Sequence, residues 1–183
     1  SSITAVVAGG LLAAMTGTLE RYPGLLVLVP AAIGMRGNIF GALGSRLATS
    51  IHAGTFRISR RPETLVMQNV IASGVLSLVT ALALAVLTKT LSPIFGLDSV
   101  IAISDLLVLS AVGALLSFLV LTAVTLAMAA RSAQRGWDLD DVNAPLVSAV
   151  GDVVTLPALL VASLLLEIDL LTKTLAVVLV IAT

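Results

Sequence analysis

Two stretches of this sequence, Leu65 to Leu87 and Leu106 to Ala130, are mostly apolar and contain no charged residue. Each is longer than the roughly 20 residues that an α-helix needs to cross the hydrocarbon core of a bilayer. The composition agrees, because 58% of the 183 residues are hydrophobic and only 11% are charged. A domain of this size cannot hide so much apolar surface from water in one core. The sequence therefore predicts an all-α, multi-pass protein of the cell membrane, in contact with lipid.

Three further stretches complete the predicted topology. Val142 to Leu166 contains a single charge, and Gly24 to Ala53 is long enough to span a membrane although it carries two arginines and a histidine. The opening stretch, Ile3 to Leu19, is short for a span, and Thr174 to Thr183 is about half of one. We expect five transmembrane helices, with the start of a possible sixth, in a single domain over residues 1–183 whose two ends are cropped.

The basic residues in the short connections predict the orientation of these helices. Five of them fall on one side of the membrane and three on the other. The five are Arg57, Arg60, Arg61, Arg131 and Arg135, and the three are Arg21, Lys89 and Lys173. This bias places the N-terminus in the cytoplasm. The opposite side carries more acidic residues, and we expect Glu20 and Asp105 to form an outer mouth that attracts cations.

The second predicted helix carries a face that is almost free of large side chains. Gly34, Asn38, Gly41 and Ser45 are separated by four, three and four positions, which places them on one side of a helix. Glycine allows close approach of the backbone to a ligand or to another helix, and backbone carbonyls are oxygen ligands for hard cations. The spacing alone fits both a ligand-binding face and simple helix packing.

The fifth predicted helix also has a polar face, which contains Pro145, Ser148, Asp152 and Thr155. Asp152 lies two residues from the midpoint of its apolar stretch, which is roughly 3 Å from the bilayer centre. A carboxylate at that depth costs about 2.5–3.5 kcal/mol to insert. It must therefore face water, a cation or a protein partner.

Several partners for Asp152 remain possible on the residues alone. It could be an ion ligand or a proton carrier. It could instead form a salt bridge with Arg36 or Arg46 of the second helix, or be a protonated acid in a hydrogen bond between helices. A stripe of small residues on the fourth helix, which contains Ser110, is expected to serve helix packing.

Two segments resemble the MgtE-type magnesium transporters, and most closely their relatives in solute carrier family 41. Residues 29–54, VPAAIGMRGNIFGALGSRLATSIHAG, are similar to that family's P-x-x-x-G-x-x-G-N motif and the S-R-L-x-T segment after it. Residues 138–156, DLDDVNAPLVSAVGDVVTL, are similar to its second motif, an acidic turn, a proline and a G-D pair that ends seven residues later. The two motifs occur in the family's order, with two spans between them.

The resemblance implies a five-helix domain that transports Mg²⁺ through a pore at the axis of a homodimer or of two tandem domains. Its second and fifth helices line that pore. The family's central cation ligand matches Asp152, and the positions beside it match Ser148, Gly34 and Asn38. The other pore-lining positions implied are Gly37, Gly41, Ser45, Pro145 and Thr155. A passive channel and an exchanger that uses Na⁺ or H⁺ as coupling ion both remain open.

Other functions receive less support from the sequence. The zero net charge and the few aromatic residues give no indication of nucleic-acid binding. The absence of cysteine and the single histidine exclude a cysteine nucleophile and a histidine-based zinc site in this chain. Ala149 to Asp152 is similar to the G-x-G-D motif of intramembrane aspartyl proteases, for which Asp105 would be the second aspartate. A non-transporting membrane subunit is the other alternative, and we expect no enzyme.

Overall fold

The computed structural model describes residues 6–166, with gaps at 8, 12, 14–15, 23, 60 and 97–101. These residues form helices and short connections, and no strand occurs among them. The helices are α1 (Thr16–Arg21), α2 (Leu25–His52), α3 (Leu65–Leu91), α4 (Ile103–Arg135) and α5 (Leu139–Leu166), with a 3₁₀ turn at Ser92–Phe95. The predicted all-α class is confirmed for this part of the chain.

Four of the five predicted spans are confirmed as helices that are long and apolar enough to cross a membrane, namely α2 to α5. Their ends lie within five residues of the predicted ones, and the largest differences arise where α3 and α4 continue past the apolar stretches to include charged residues such as Lys89 and Arg135. Only the last part of the first predicted span, within α1, belongs to a helix with described bounds. The closing stretch, 174–183, lies outside the described residues. The five-span topology and the cytoplasmic N-terminus therefore stay predictions.

The connections are short and use ordinary capping chemistry. Thr64 begins α3, where its hydroxyl accepts a hydrogen bond from the backbone N–H of Met67 at 3.4 Å. Gly136 ends α4 in the left-handed conformation, with φ of 68°, which glycine adopts without steric cost. Because only residues 136–138 separate α4 from α5, these two helices run antiparallel and pack against each other.

Among the described residues, Ala85 and Leu106 form a small apolar cluster, and two larger clusters make up most of the core. One surrounds the first turns of α2 and includes Leu25, Leu28 and Leu159. The other surrounds the second half of α2 and includes Phe40 and Leu43. Between its buried members of these two clusters, α2 contributes a charged residue, Arg36, to the interior. The outer surface of α3 is apolar, as expected of a helix in contact with lipid.

Candidate functional site

The outer face of α2 carries the residues that the sequence predicted for it. Gly34, Asn38 and Ser45 are exposed, and Gly37 and Gly41 are half-buried. We call these five residues the open face of α2. A Cβ atom added at any of its three glycines would meet no heavy atom within 4 Å outside its own stretch of helix. These glycines therefore do not serve helix packing inside the protomer.

The open face is unsuited to lipid. Among the exposed large apolar side chains, α2 contributes only Leu26, whereas α3 contributes a whole series along its length. The α3 series is Leu65, Ile71, Val75, Leu76, Leu78, Val79, Val86 and Leu87. A membrane helix exposes apolar side chains where it meets acyl chains, and it turns polar groups toward protein or water. The open face of α2 thus needs a protein surface or a water-filled space in front of it.

The polar face of α5 becomes more buried from its start toward its middle. Pro145 and Ser148 are exposed, Asp152 is half-buried, and Thr155 has no exposed surface. The hydroxyl of Thr155 lies inside the protomer and has no hydrogen-bond partner. The first three of these predicted site residues are therefore accessible, and Thr155 is not.

Asn143 connects α5 to α2 and fixes how the two helices pass each other. Its side chain is 1% exposed, and its Nδ2 donates a hydrogen bond to the backbone carbonyl of Gly41 at 3.2 Å. It lies so close to Gly44 that a Cβ atom there would overlap the Asn143 amide. Sequence reasoning did not select either residue. The spacing did not distinguish Gly44, because it follows Gly37 by seven positions and so lies within roughly 20° of it around the helix.

This contact places Asp152 at the level of the glycine motif. Asn143 contacts Gly41 and Gly44, and α5 runs antiparallel to α2. Nine residues forward along α5, from Asn143 to Asp152, therefore correspond to nine residues backward along α2, from Gly41 and Gly44 to residues 32 and 35. Because both helices rise about 1.5 Å per residue, Asp152 lies level with the turn that contains Gly34. The two motifs found in the sequence thus meet at the same depth.

Neither arginine of α2 neutralises Asp152. Arg46 donates a hydrogen bond from Nη1 to Asn69 Oδ1 of α3 at 3.3 Å. Arg36 is buried on the other side of α2, and its Nη1 has no hydrogen-bond partner. The salt bridge that the sequence allowed between Asp152 and Arg36 or Arg46 does not form in this structure.

The two acidic residues assigned to the outer mouth lie at helix ends on the same side of the bundle. Glu20 is exposed near the end of α1, shortly before α2 begins. Asp105 lies in the first turn of α4, is half-buried, and accepts a hydrogen bond from Ser104 Oγ at 3.3 Å. Their role in attracting cations stays a prediction.

An intramembrane aspartyl protease needs its two aspartates side by side, and Asp105 and Asp152 are not. Gly113 of α4 faces Leu159 of α5. Since Asp152 precedes Leu159 by seven residues, it is level with residue 120 of the antiparallel α4, fifteen residues from Asp105. At 1.5 Å per residue the two carboxylates are about 20 Å apart along the bundle, too far to share a proton.

The described residues contain no group of three or more His, Cys, Asp or Glu side chains that could hold a metal ion. A fully dehydrated site made by carboxylates of one protomer is therefore absent from this part of the chain. What α2 and α5 offer at one level is a single carboxylate, an amide, a hydroxyl and backbone carbonyls. Such groups suit a cation that keeps its water molecules.

Comparisons with known proteins identify a family of divalent cation transporters. The profile of the MgtE family, described as "Divalent cation transporter", matches residues 29–162. Solute carrier family 41 member 3 of Rattus norvegicus is 29% identical over 153 residues, which are 80% of this chain and 33% of that protein. Solute carrier family 41 member 2 of Xenopus laevis is 28% identical over 140 residues, which are 74% of this chain and 24% of that protein. The chain thus covers a third or less of these relatives, and no solved structure matches it.

Proposed function

Because the chain belongs to the MgtE family of divalent cation transporters, we propose that it carries Mg²⁺ across the cell membrane along α2 and α5. The family resemblance stated from the two sequence motifs is thereby confirmed. The family's members are transporters rather than enzymes, which agrees with the expectation of no catalytic activity. The observation that carries the proposal is the position of Asp152 at the level of Gly34, beside a helix face that lipid cannot cover.

Asp152 is the central ligand in this proposal. Mg²⁺ is a hard cation that prefers oxygen ligands and gives up its waters reluctantly, so proteins often hold it through one or two carboxylates and a retained hydration shell. We propose that Asn38, Ser148 and the backbone of Gly34 bind the waters of the ion. The remaining residues of the open face, with Pro145, form the walls of the path, and Glu20 and Asp105 attract cations to its outer end.

A second copy of this helical unit completes the path. Within the part of the chain that the structure describes, no side chain of another helix fills the space in front of the glycines of the open face, and a two-fold axis in front of that face doubles one Asp152 into two. The second copy is a homodimer partner or a tandem second half of a longer protein. Either arrangement surrounds the ion with protein and shields the polar face from lipid.

The proposal is tested by Mg²⁺ uptake into liposomes that contain the purified protein and an enclosed Mg²⁺-sensitive dye. Asp152→Asn keeps the size of the side chain and removes its charge, so we expect it to abolish most of the uptake. The matched control is Glu63→Gln, which removes an exposed carboxylate in the connection before α3 and should leave uptake at the wild-type rate. Unchanged uptake by Asp152→Asn contradicts the proposal.

The same preparation distinguishes the transport mechanisms and the alternative function. Uptake that needs an imposed Na⁺ gradient indicates an exchanger with Na⁺ as coupling ion, whereas uptake without any gradient of Na⁺ or H⁺ indicates a channel. Folded and correctly inserted wild-type protein that moves no Mg²⁺ would favour a non-transporting membrane subunit.

A further inference from the structure

The side chain of Arg36 points into the protomer, away from the open face. Arg36 lies between Gly34 and Gly37 in the sequence, yet it is only 4% exposed. Its guanidinium lies against α4, where a Cβ atom added to Gly113 would be 3.8 Å from Nη2. That distance is an ordinary contact, whereas Leu159 Cδ2 would lie only 2.7 Å from the same Cβ atom, so the missing side chain at Gly113 makes room for Leu159 and leaves the guanidinium in normal contact with α4.

Arg36 shares a small, partly open cavity with two serine hydroxyls. The cavity is lined by Arg36, by Ser77 of α3 and by Ser110 of α4, together with apolar side chains. Ser77 is 5% exposed and Ser110 is 3% exposed. Arg36 Nη1, Ser77 Oγ and Ser110 Oγ are all buried without a hydrogen-bond partner. Three unsatisfied polar groups from three helices therefore meet at one place.

These three polar groups lie among apolar side chains from both of these core clusters. The cluster members that line the same cavity are Leu28, Leu159 and Ile39. A serine in a membrane helix usually satisfies its hydroxyl with a carbonyl of the preceding turn, as Thr125 does with Leu121 at 2.8 Å. Neither Ser77 nor Ser110 does so, which leaves their hydroxyls available to a ligand in the cavity.

No carboxylate among the described residues is placed to neutralise Arg36. Side chains of a helix lean toward its N-terminus, which carries the guanidinium toward the level of Leu159, a residue that also lines the cavity. Asp152 precedes Leu159 by seven residues, about 10 Å along α5. Asp105 precedes Gly113 by eight residues and lies at the end of the bundle.

We propose that Arg36, Ser77 and Ser110 bind one small monatomic anion, such as chloride, inside each protomer. The guanidinium and the two hydroxyls supply hydrogen-bond donors, and the guanidinium cannot act as an acceptor. A buried charge requires a compensating charge or strong hydrogen bonds. The cavity has a volume of about 10 Å³, which is room for one water molecule. A halide ion is larger than water, so its binding requires a small outward shift of the flexible side chains of Arg36 and Met35 in the wall. Sulfate and phosphate are too large.

This anion site is separate from the proposed Mg²⁺ path and does not depend on it. The test therefore measures binding rather than transport. The purified full chain in detergent is melted in sodium chloride, sodium bromide and sodium gluconate at equal ionic strength. Binding of a halide to the folded state alone raises the melting temperature with the logarithm of halide concentration above its Kd. Gluconate cannot enter the cavity and should have no such effect.

Variants identify the site. We expect Arg36→Gln to remove the halide dependence, and Ser110→Ala or Ser77→Ala to raise the apparent halide Kd about tenfold, the size expected for one lost hydrogen bond to a charged group. Arg46→Gln is the matched control, because Arg46 is an exposed arginine of the same helix, and its halide dependence should equal that of the wild type. If Arg36→Gln does not fold, the two serine variants alone decide whether the halide binds in this cavity.

Two results would overturn the proposal. Identical melting of the wild type in halide and in gluconate shows that the cavity holds water and no anion. A wild-type halide dependence in both serine variants shows that the anion binds elsewhere. Neither result bears on Mg²⁺ uptake, so the anion site and the transport function can fail independently.

Discussion

Helix α2 contains two kinds of glycine in opposite surroundings. Gly34, Gly37 and Gly41 have empty space where a side chain would be, whereas Gly44, three residues after Gly41, is filled by the amide of Asn143. The first group leaves the outer face of the protomer open, and Gly44 allows α2 and α5 to pack in close contact. The same residue type therefore leaves the surface open at three positions of α2 and allows close helix contact less than one turn further along.

The largest expected effect is a difference in stability between alanine variants at Gly44 and at Gly34. Gly44→Ala forces a methyl group into the Asn143 side chain, and we expect it to lower the free energy of unfolding by about 1–3 kcal/mol or more. Gly34→Ala meets no neighbour, so it should keep stability or raise it by up to about 1 kcal/mol, because alanine favours the helix. Thermal unfolding in detergent measures both. Equal losses in the two variants would contradict the comparison.

The next effect concerns the two asparagines of the helix pair. Asn143→Ala removes the hydrogen bond to Gly41 and leaves a hole, and we expect a loss of about 2 kcal/mol in unfolding free energy. Asn38→Ala changes an exposed residue of the open face and should alter stability by less than about 0.5 kcal/mol.

For Mg²⁺ uptake per folded molecule, we expect the larger effect from Asn38→Ala and the smaller one from Asn143→Ala. Uptake should fall for Asn38→Ala and stay near the wild-type value for Asn143→Ala in the fraction that folds. A stable, fully active Asn38→Ala protein would remove Asn38 from the proposed path.

The smallest effect compares two serines. Ser148→Ala removes one exposed hydroxyl beside Asp152, and we expect uptake to fall about three- to fivefold, the size of one modest hydrogen bond, with no change in melting. Ser132→Ala removes a buried hydroxyl that donates to the Trp137 carbonyl at 2.7 Å after the end of α4. It should lower unfolding free energy by about 1 kcal/mol and leave uptake unchanged. Reversed outcomes would place Ser148 in the packing and Ser132 in the path.

Much of this arrangement was predictable from local pattern. The spans followed from uncharged apolar stretches, and the open face of α2 from spacings of three and four. The inward direction of Arg36 was also predictable. Because an α-helix turns about 100° per residue, Arg36 is rotated roughly 200° from Gly34 and from Asn38, each two residues away, and so lies on the opposite side of the helix. A salt bridge between Arg36 and Asp152 was thus a poor expectation, because Asp152 was expected beside the opposite face of α2.

Other features depend on contacts that spacing cannot reveal. The bond between Asn143 and Gly41 joins residues 102 positions apart, and no local pattern identifies such a partner. Thr155 shares a helical face with Ser148 by spacing, yet it is buried, because neighbouring helices cover the middle of α5 more than its start. Ser110 was predicted to serve helix packing, and its burial agrees. Its hydroxyl, however, lies without a partner in the cavity that Arg36 also lines, which the spacing along α4 does not predict.

The central claim is that the open face of α2 borders a water-filled path for divalent cations. The chain contains no cysteine, so a single cysteine can report on water at one position in reconstituted liposomes. The measurement is the rate at which a charged, water-soluble thiol reagent labels Asn38→Cys, with Leu119→Cys on the exposed apolar surface of α4 as control. We expect rapid labelling at Asn38→Cys that Mg²⁺ slows, and almost none at Leu119→Cys. Labelling of Asn38→Cys as slow as that of the control, or unaffected by Mg²⁺, would contradict the account.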